Sequence, residues 1–335
     1  FAAQYFFDYT LRSLYTGLHY YRFYRVVPVW AWVPVITILI TAVVDCTVNH
    51  YGKSTARTVI SVLILAVIAA SVPLALKHQA DFDKEELMEY DFLVRFQKWD
   101  KIIDEANKKA PDKPLSVSCL NLALAEKWQL ADRMFNYFQN GPEGLLPSFV
   151  RDFTSPLPTA EAYFRLGMVN TAQRYTFEAQ ESIPDYQKSA RCYRRLAETN
   201  IINGDFDVAR KYLKPLKNTI FYRQWAKTAE EYLNSGEIFD RSRDLSEISS
   251  MRLQNHDFLF SDTEMDSMIG TLMLENGRNM MAIQYLMAYC LLKKDVARFC
   301  ECYSMIDDGI NDGDLAIMFK TKVANNGGEV SAILD

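Results

Sequence analysis

The sequence predicts an all-α fold, an N-terminal transmembrane helical hairpin followed by a solenoid of α-helical hairpins, on three observations. Two charge-free apolar runs, residues 26–44 and 58–76, lie close together near the start. From Asp81 onward, apolar residues return every three or four positions among charged ones, the signature of amphipathic helices. Gly and Pro number only 13 and 11 in 335 residues, too few for a turn-dense all-β fold. The formal net charge of -5 leaves no excess of cations for coating nucleic acid, so no nucleic-acid partner is expected.

Residues 1–25 crowd Tyr5, Phe6, Phe7, Tyr9, Tyr15, Tyr20, Tyr21, Phe23 and Tyr24 around Arg12, Arg22 and Arg25. Rings that straddle oil and water beside cations suit headgroup depth, so this segment is expected at an interface. The run VVPVWAWVPVITILITAVV (26–44) has the length of about 20 residues that hydrocarbon requires, between Arg25 and Asp45. The run TVISVLILAVIAASVPLAL (58–76) matches it between Arg57 and Lys77, and the short polar link makes the two a hairpin. Pro34 and Pro73 are tolerable where neighbouring helices satisfy the freed backbone groups. The expected location is therefore integral to the cell (inner) membrane, with the lipid bilayer as a partner. Lys77 and Lys84 after the second run, and cysteines without framework spacing, put the repeats on the cytoplasmic side. A start at Phe1, without a signal peptide, reads as the later part of a longer polypeptide.

Helical hairpins are expected over residues 81–233. The block CYRRLAETNIINGDFDVARKYLKPL places small Ala197 and Ala209 where two helices cross closely, Gly204 at the turn, and Tyr193, Leu196, Phe206 and Leu213 in the seam. The preceding block puts Tyr163, Gly167, Ala172, Ala179 and Pro184 at corresponding offsets. Leu122, Trp128, Ala131 and Phe135 follow the same logic more loosely, as do Leu93, Trp99 and Ile102. Residues 234–262 are polar and turn-forming, a loop-rich joint, and 263–335 resume with Gly270, Gly277, Ala282 and Leu286 before a tail. These blocks resemble tetratricopeptide repeats, with irregular spacing around the roughly 34-residue period, which implies a TPR-like solenoid. The arrangement of apolar spans, YDFLVRFQKWDKIIDEA, LNLALAEKWQLADRMFNYFQNGPEGL and the repeat blocks is similar to the C-terminal half of a bacterial family of multi-span membrane proteins of unknown function. That resemblance implies a membrane protein with a helical-repeat tail and carries no catalytic residues.

No phosphate loop, nucleophile elbow, zincin helix or dinucleotide fingerprint occurs, so no catalytic residue, cofactor or metal is assigned and the chain leans away from being an enzyme. Cys46, Cys119, Cys192, Cys290, Cys300 and Cys302 read as free thiols, and the last three lack a spaced fourth zinc ligand. The acidic run 306–315 does not follow the EF-hand register. Between Asp185 and Glu230 stand ten basic residues against five acidic ones. Arg191 and Arg195 are one turn apart there, so Arg191, Arg194 and Arg195 are the candidate partner-binding residues, facing a groove and taking an acidic protein or peptide. The expected function is a membrane-anchored scaffold or adaptor. The alternative is the accessory domain of a polytopic membrane enzyme, such as one of envelope glycan assembly, with its active site upstream.

Overall fold

A computed structural model describes residues 33–51, 81–183, 187–253, 265–277 and 279–309, with isolated positions between 58 and 73. The chain divides into two compact units, Phe1–Glu85 and Glu86–Asp335. The described residues are helical and contain no strand.

In the first unit, α1 spans Val33–Tyr51. Val35, Ile36, Ile38, Leu39, Ile40 and Val43 are exposed on it. This corrects the expected transmembrane hairpin. The described helix runs through Asp45, Asn49 and His50, past the end of the charge-free run, and residues 26–32 lie outside the described residues. A span needs about 20 predominantly apolar residues within one helix. Among the described residues no helix is long and apolar enough to cross a membrane, which overturns the assignment as an integral membrane protein together with the sidedness inferred from it. The aromatic segment 1–25 and most of the run 58–76 lie outside the described residues.

Helix α2 (Phe82–Arg95) opens with Asp83 and Glu85 in its first turn, which complements the helix dipole. It buries Leu87, Tyr90, Leu93 and Val94. Helix α3 (Trp99–Lys108) packs on α4 (Pro114–Glu126), which Pro114 starts because a first-turn residue needs no amide partner. Every residue of α4 from Ser116 to Ala125 is buried, so it is a central helix rather than one side of a hairpin. A 3-10 turn at Gly141–Gly144 closes over it, with Asn121 Nδ2 donating to the Gly144 carbonyl at 2.8 Å and Ser118 Oγ to that of Leu145 at 2.8 Å. The short α5 (Leu130–Arg133) follows α4 directly.

Four further helices stack in sequence: α6 (Pro156–Arg165) on α7 (Val169–Glu181), α7 on α8 (Ala190–Asn203), and α8 on α9 (Phe206–Leu216). Ala172, Ala197 and Ala209 are buried at these crossings, with Leu196 and Leu213 beside them, as expected. Gly204 takes φ +85° and ends α8 in the left-handed conformation that a side chain would strain. Phe206 differs from expectation: as the first residue of α9 it faces outward, and the Tyr193–Tyr212 ring pair at 5.3 Å joins α8 to α9 instead.

Helix α10 (Arg223–Ser235) packs on α9. Within the segment read as a loop-rich joint, α11 (Ile238–Arg241) and α12 (Arg243–Met251) are helical, α12 resting on α8. Then α13 (Met265–Glu275) pairs with α14 (Met280–Leu292), and α15 (Val296–Gly309) covers α14. Residues 310–335 lie outside the described set. Met280 to Cys290 are all buried because α14 returns onto α4 and α5. Asn279, itself fully buried, caps α14 by accepting from the Ala282 amide at 3.0 Å. Its side-chain nitrogen donates to the Leu166 carbonyl at 2.7 Å and to that of Met251 at 3.1 Å. The α6–α7 turn, the end of α12 and the start of α14 thus meet at one asparagine.

Candidate functional site

The three arginines sit on the first two turns of α8, which Ser189 begins by accepting from the Cys192 amide at 3.4 Å. A packed face of Cys192, Leu196 and Ala197 turns residues 191, 194 and 195 away from the core, but towards other helices rather than into an open groove. Arg191 forks onto Asp91 of α2, with Nη1–Oδ2 at 2.5 Å and Nη2–Oδ1 at 2.7 Å; the side chains are 17% and 7% exposed. Arg195, 15% exposed, donates to Glu161 of α6, lies 2.9 Å from Glu198, and stacks its guanidinium 3.6 Å over the Phe164 ring. Arg194 Nε donates to Glu198 at 2.9 Å, one turn along the same helix, and its guanidinium lies 4.9 Å from the centre of the Trp225 ring. Paired bidentate geometry of this kind is directional and joins elements far apart in the chain.

Electrostatics follow from that geometry. Burial alone would raise the Glu161 carboxyl, but the charge and hydrogen bond of Arg195, with Arg191 and Arg194 nearby, hold it below its usual range. Burial lowers Arg195, and Glu161 and Glu198 more than offset it, so the guanidinium stays firmly charged. The cleft between these groups, bordered also by Arg95, Tyr222 and Asp244, has a volume of about 30 Å³. The enclosed part of the cleft is therefore of the size that ordered water takes.

A second ionic cluster lies beyond it, around a residue the sequence did not single out. Arg165 is buried and donates through Nε to Glu126 of α4 at 2.5 Å and through Nη1 to Asp244 of α12 at 2.5 Å. Gln97, in the link between α2 and α3, donates to the same Asp244 at 3.2 Å. Here burial prevails over Arg165, and the Glu126 carboxyl is pushed up. Nothing local marks Arg165, Asp91 or Glu161, since their partners lie 34 to 100 residues away.

What remains of the basic excess is displaced along the chain. Lys211 and Lys214 on α9, and Arg223 and Lys227 on α10, are exposed and make no ion pair among the described residues. Between them the α9–α10 turn lifts Ile220 and Phe221 to 87% and 88% exposure. Cys290 and Cys302 are buried and Cys300 is exposed. Burial, with Cys302 beside it, pushes the Cys290 thiol up to about 12. Among the described residues no three His, Cys, Asp or Glu side chains converge as they would around a metal ion.

No curated protein and no solved structure matches the chain. A family of unknown function, DUF6057, matches residues 1–315, which takes in both units of the fold and all three arginines of α8. With nearly its whole length matched, the chain belongs to the DUF6057 family.

Proposed function

We propose that the chain is an interaction scaffold, a TPR-like stack of helical hairpins that docks an anionic partner on the edge formed by α9 and α10. The observation that carries this reading is the exposure of Lys211, Lys214, Arg223 and Lys227 with no ion pair among the described residues, in a region where Arg191, Arg194 and Arg195 are all paired. Cations left free beside an exposed apolar turn favour association with opposite charge and make it sensitive to salt. Arg191, Arg194 and Arg195 act in this reading as the frame that holds α8 against α2 and α6, and so fixes where α9 and α10 stand.

The test is binding to immobilised poly-glutamate at low and physiological salt, comparing wild type with Lys211→Glu/Lys214→Glu/Arg223→Glu/Lys227→Glu. Wild type should bind at low salt and weaken as salt rises, while the quadruple variant loses binding and keeps its helical content. Equal binding by the two proteins would remove the edge from the account.

A further inference from the structure

The geometry points to an anionic phospholipid surface as the occupant of this edge, with Ile220 and Phe221 inserting at headgroup depth and the surrounding cations resting on the lipid charges. This rests on the reading of α9 and α10 as the docking edge. It needs no spanning helix, because the contact is made from outside the bilayer by one turn.

Ile220 and Phe221 are the most exposed large apolar side chains among the described residues, and a firmly built turn holds them there. The amides of Lys217, Asn218 and Thr219 donate to the carbonyls of Leu213, Pro215 and Leu216 at 3.0–3.1 Å. Thr219 Oγ1 donates to the Leu216 carbonyl at 2.7 Å and accepts from the Tyr222 amide at 3.2 Å. On the far side Tyr222 is buried and receives a hydrogen bond from Arg95, whose guanidinium lies 5.4 Å from the centre of its ring. Lys217 clamps the turn to α10 through Glu230 at 2.7 Å. A turn so tied cannot fold its two apolar residues inward, so their exposure is part of the structure.

Size and charge select the occupant. A stable protein interface buries about 800 Å² and 20–30 residues on each side, far more than a two-residue tip presents. A bilayer surface asks only for an aromatic or aliphatic tip at the acyl boundary and cations within reach of the lipid charges. Lys211 and Lys214 precede the tip along the chain and Arg223 and Lys227 follow it, four cations against the exposed Glu231, since Glu230 is neutralised by Lys217. The paired arginines of α8 form no open anion pocket, so the surface should respond to charge density and not to which anionic headgroup bears it.

The full chain is sedimented with sucrose-loaded vesicles of phosphatidylcholine alone, of 30% phosphatidylglycerol and of 30% phosphatidylserine, at 50 and 300 mM salt. Wild type should prefer both anionic vesicles equally over the neutral ones and lose the preference at high salt. Each removed cation should lower partitioning about fivefold, so Lys214→Ala/Arg223→Ala falls about 25-fold. Ile220→Ser/Phe221→Ser should lose tenfold or more at unchanged charge. Both variants alter exposed side chains, and circular dichroism checks that they fold. Binding through any other apolar surface adds the same background to all three proteins, and the partitioning of each variant is read as the difference from wild type. Equal partitioning of wild type and the serine variant overturns the proposal, as does equal binding to neutral and anionic vesicles. Poly-glutamate binding without vesicle binding overturns it and leaves the docking edge standing, whereas loss of both removes the edge itself. A wild-type dimer that the serine variant dissociates in sedimentation velocity assigns the tip to a second copy of the chain and also overturns it.

Discussion

Arg191→Ala separates an architectural arginine from a partner-facing one. The guanidinium and Asp91 exchange two hydrogen bonds, 2.5 and 2.7 Å, at 17% and 7% exposure. Removing the arginine leaves Asp91 buried without its cation, and breaking a buried pair in this way costs about 3–5 kcal/mol. Water reaches one side of Arg191, so the lower end, about 3 kcal/mol, applies. A domain of this size loses about 2–4 °C of melting temperature per kcal/mol, giving a fall on the order of 6–12 °C by circular dichroism. Arg191→Met/Asp91→Leu removes both charges and should recover most of that loss, because a well-packed apolar pair often replaces a buried ion pair at no net cost. A single variant that melts within about 2 °C of wild type would refute the architectural role. Failure of the double variant to recover would refute the assignment of the loss to an orphaned carboxylate.

Other expectations follow from the same cluster and from the junction at Asn279. The Glu161 carboxyl is held low in the folded state, so its contribution is full above the unfolded value near 4.3 and is lost as pH falls through the lower folded value. Glu161→Gln should therefore melt lower than wild type at pH 7 and show a shallower further decline below pH 4 by thermal titration. Glu126 is raised, so its contribution has the opposite sign: full below the unfolded value and lost as pH rises through the folded one. Gly167→Ala should destabilise by about 2 kcal/mol or more in urea denaturation, since φ is +83° and an ideal Cβ would stand 2.5 Å from the Met251 carbonyl oxygen. Asn279→Ala removes a cap and two interhelix hydrogen bonds from a fully buried site and should cost about 2–4 kcal/mol by the same measurement.

Local pattern carried the hairpins. Ala197, Ala209, Leu196, Leu213 and Gly204 are spaced as two helices and a tight turn demand, and they pack accordingly. Phe206, expected in the seam, faces outward because a residue at the first turn of a helix can face either way without changing the period. The burial of α4 and α14 on every side was hidden for a related reason: an apolar stretch buried all round has no polar face to give it a period. The three arginines were legible as a cluster, but their acidic partners were not. Asp91 and Glu161 are remote in sequence, and a count of charge between Asp185 and Glu230 takes no account of carboxylates brought in from α2 and α6. The outward Ile220 and Phe221 were equally invisible, since apolar residues after a helix are ordinarily packed against it.

The return of α14 onto α4 also sets the order in which the molecule can be finished. Gln284 Nε2 donates to the Ala125 carbonyl at 3.3 Å across 159 positions, and α14, buried from Met280 to Cys290, packs on α4 and α5. A ribosome adding about 5–20 residues per second takes roughly ten to thirty seconds to pass from α4 to the end of α14. Throughout that interval α4, which the finished fold buries on every side from Ser116 to Ala125, waits without α14, the condition in which nascent chains recruit holdases or aggregate. A chain that ends before residue 280 lacks this partner of α4 altogether, so the distance between two helices that touch decides how late in synthesis the core can close.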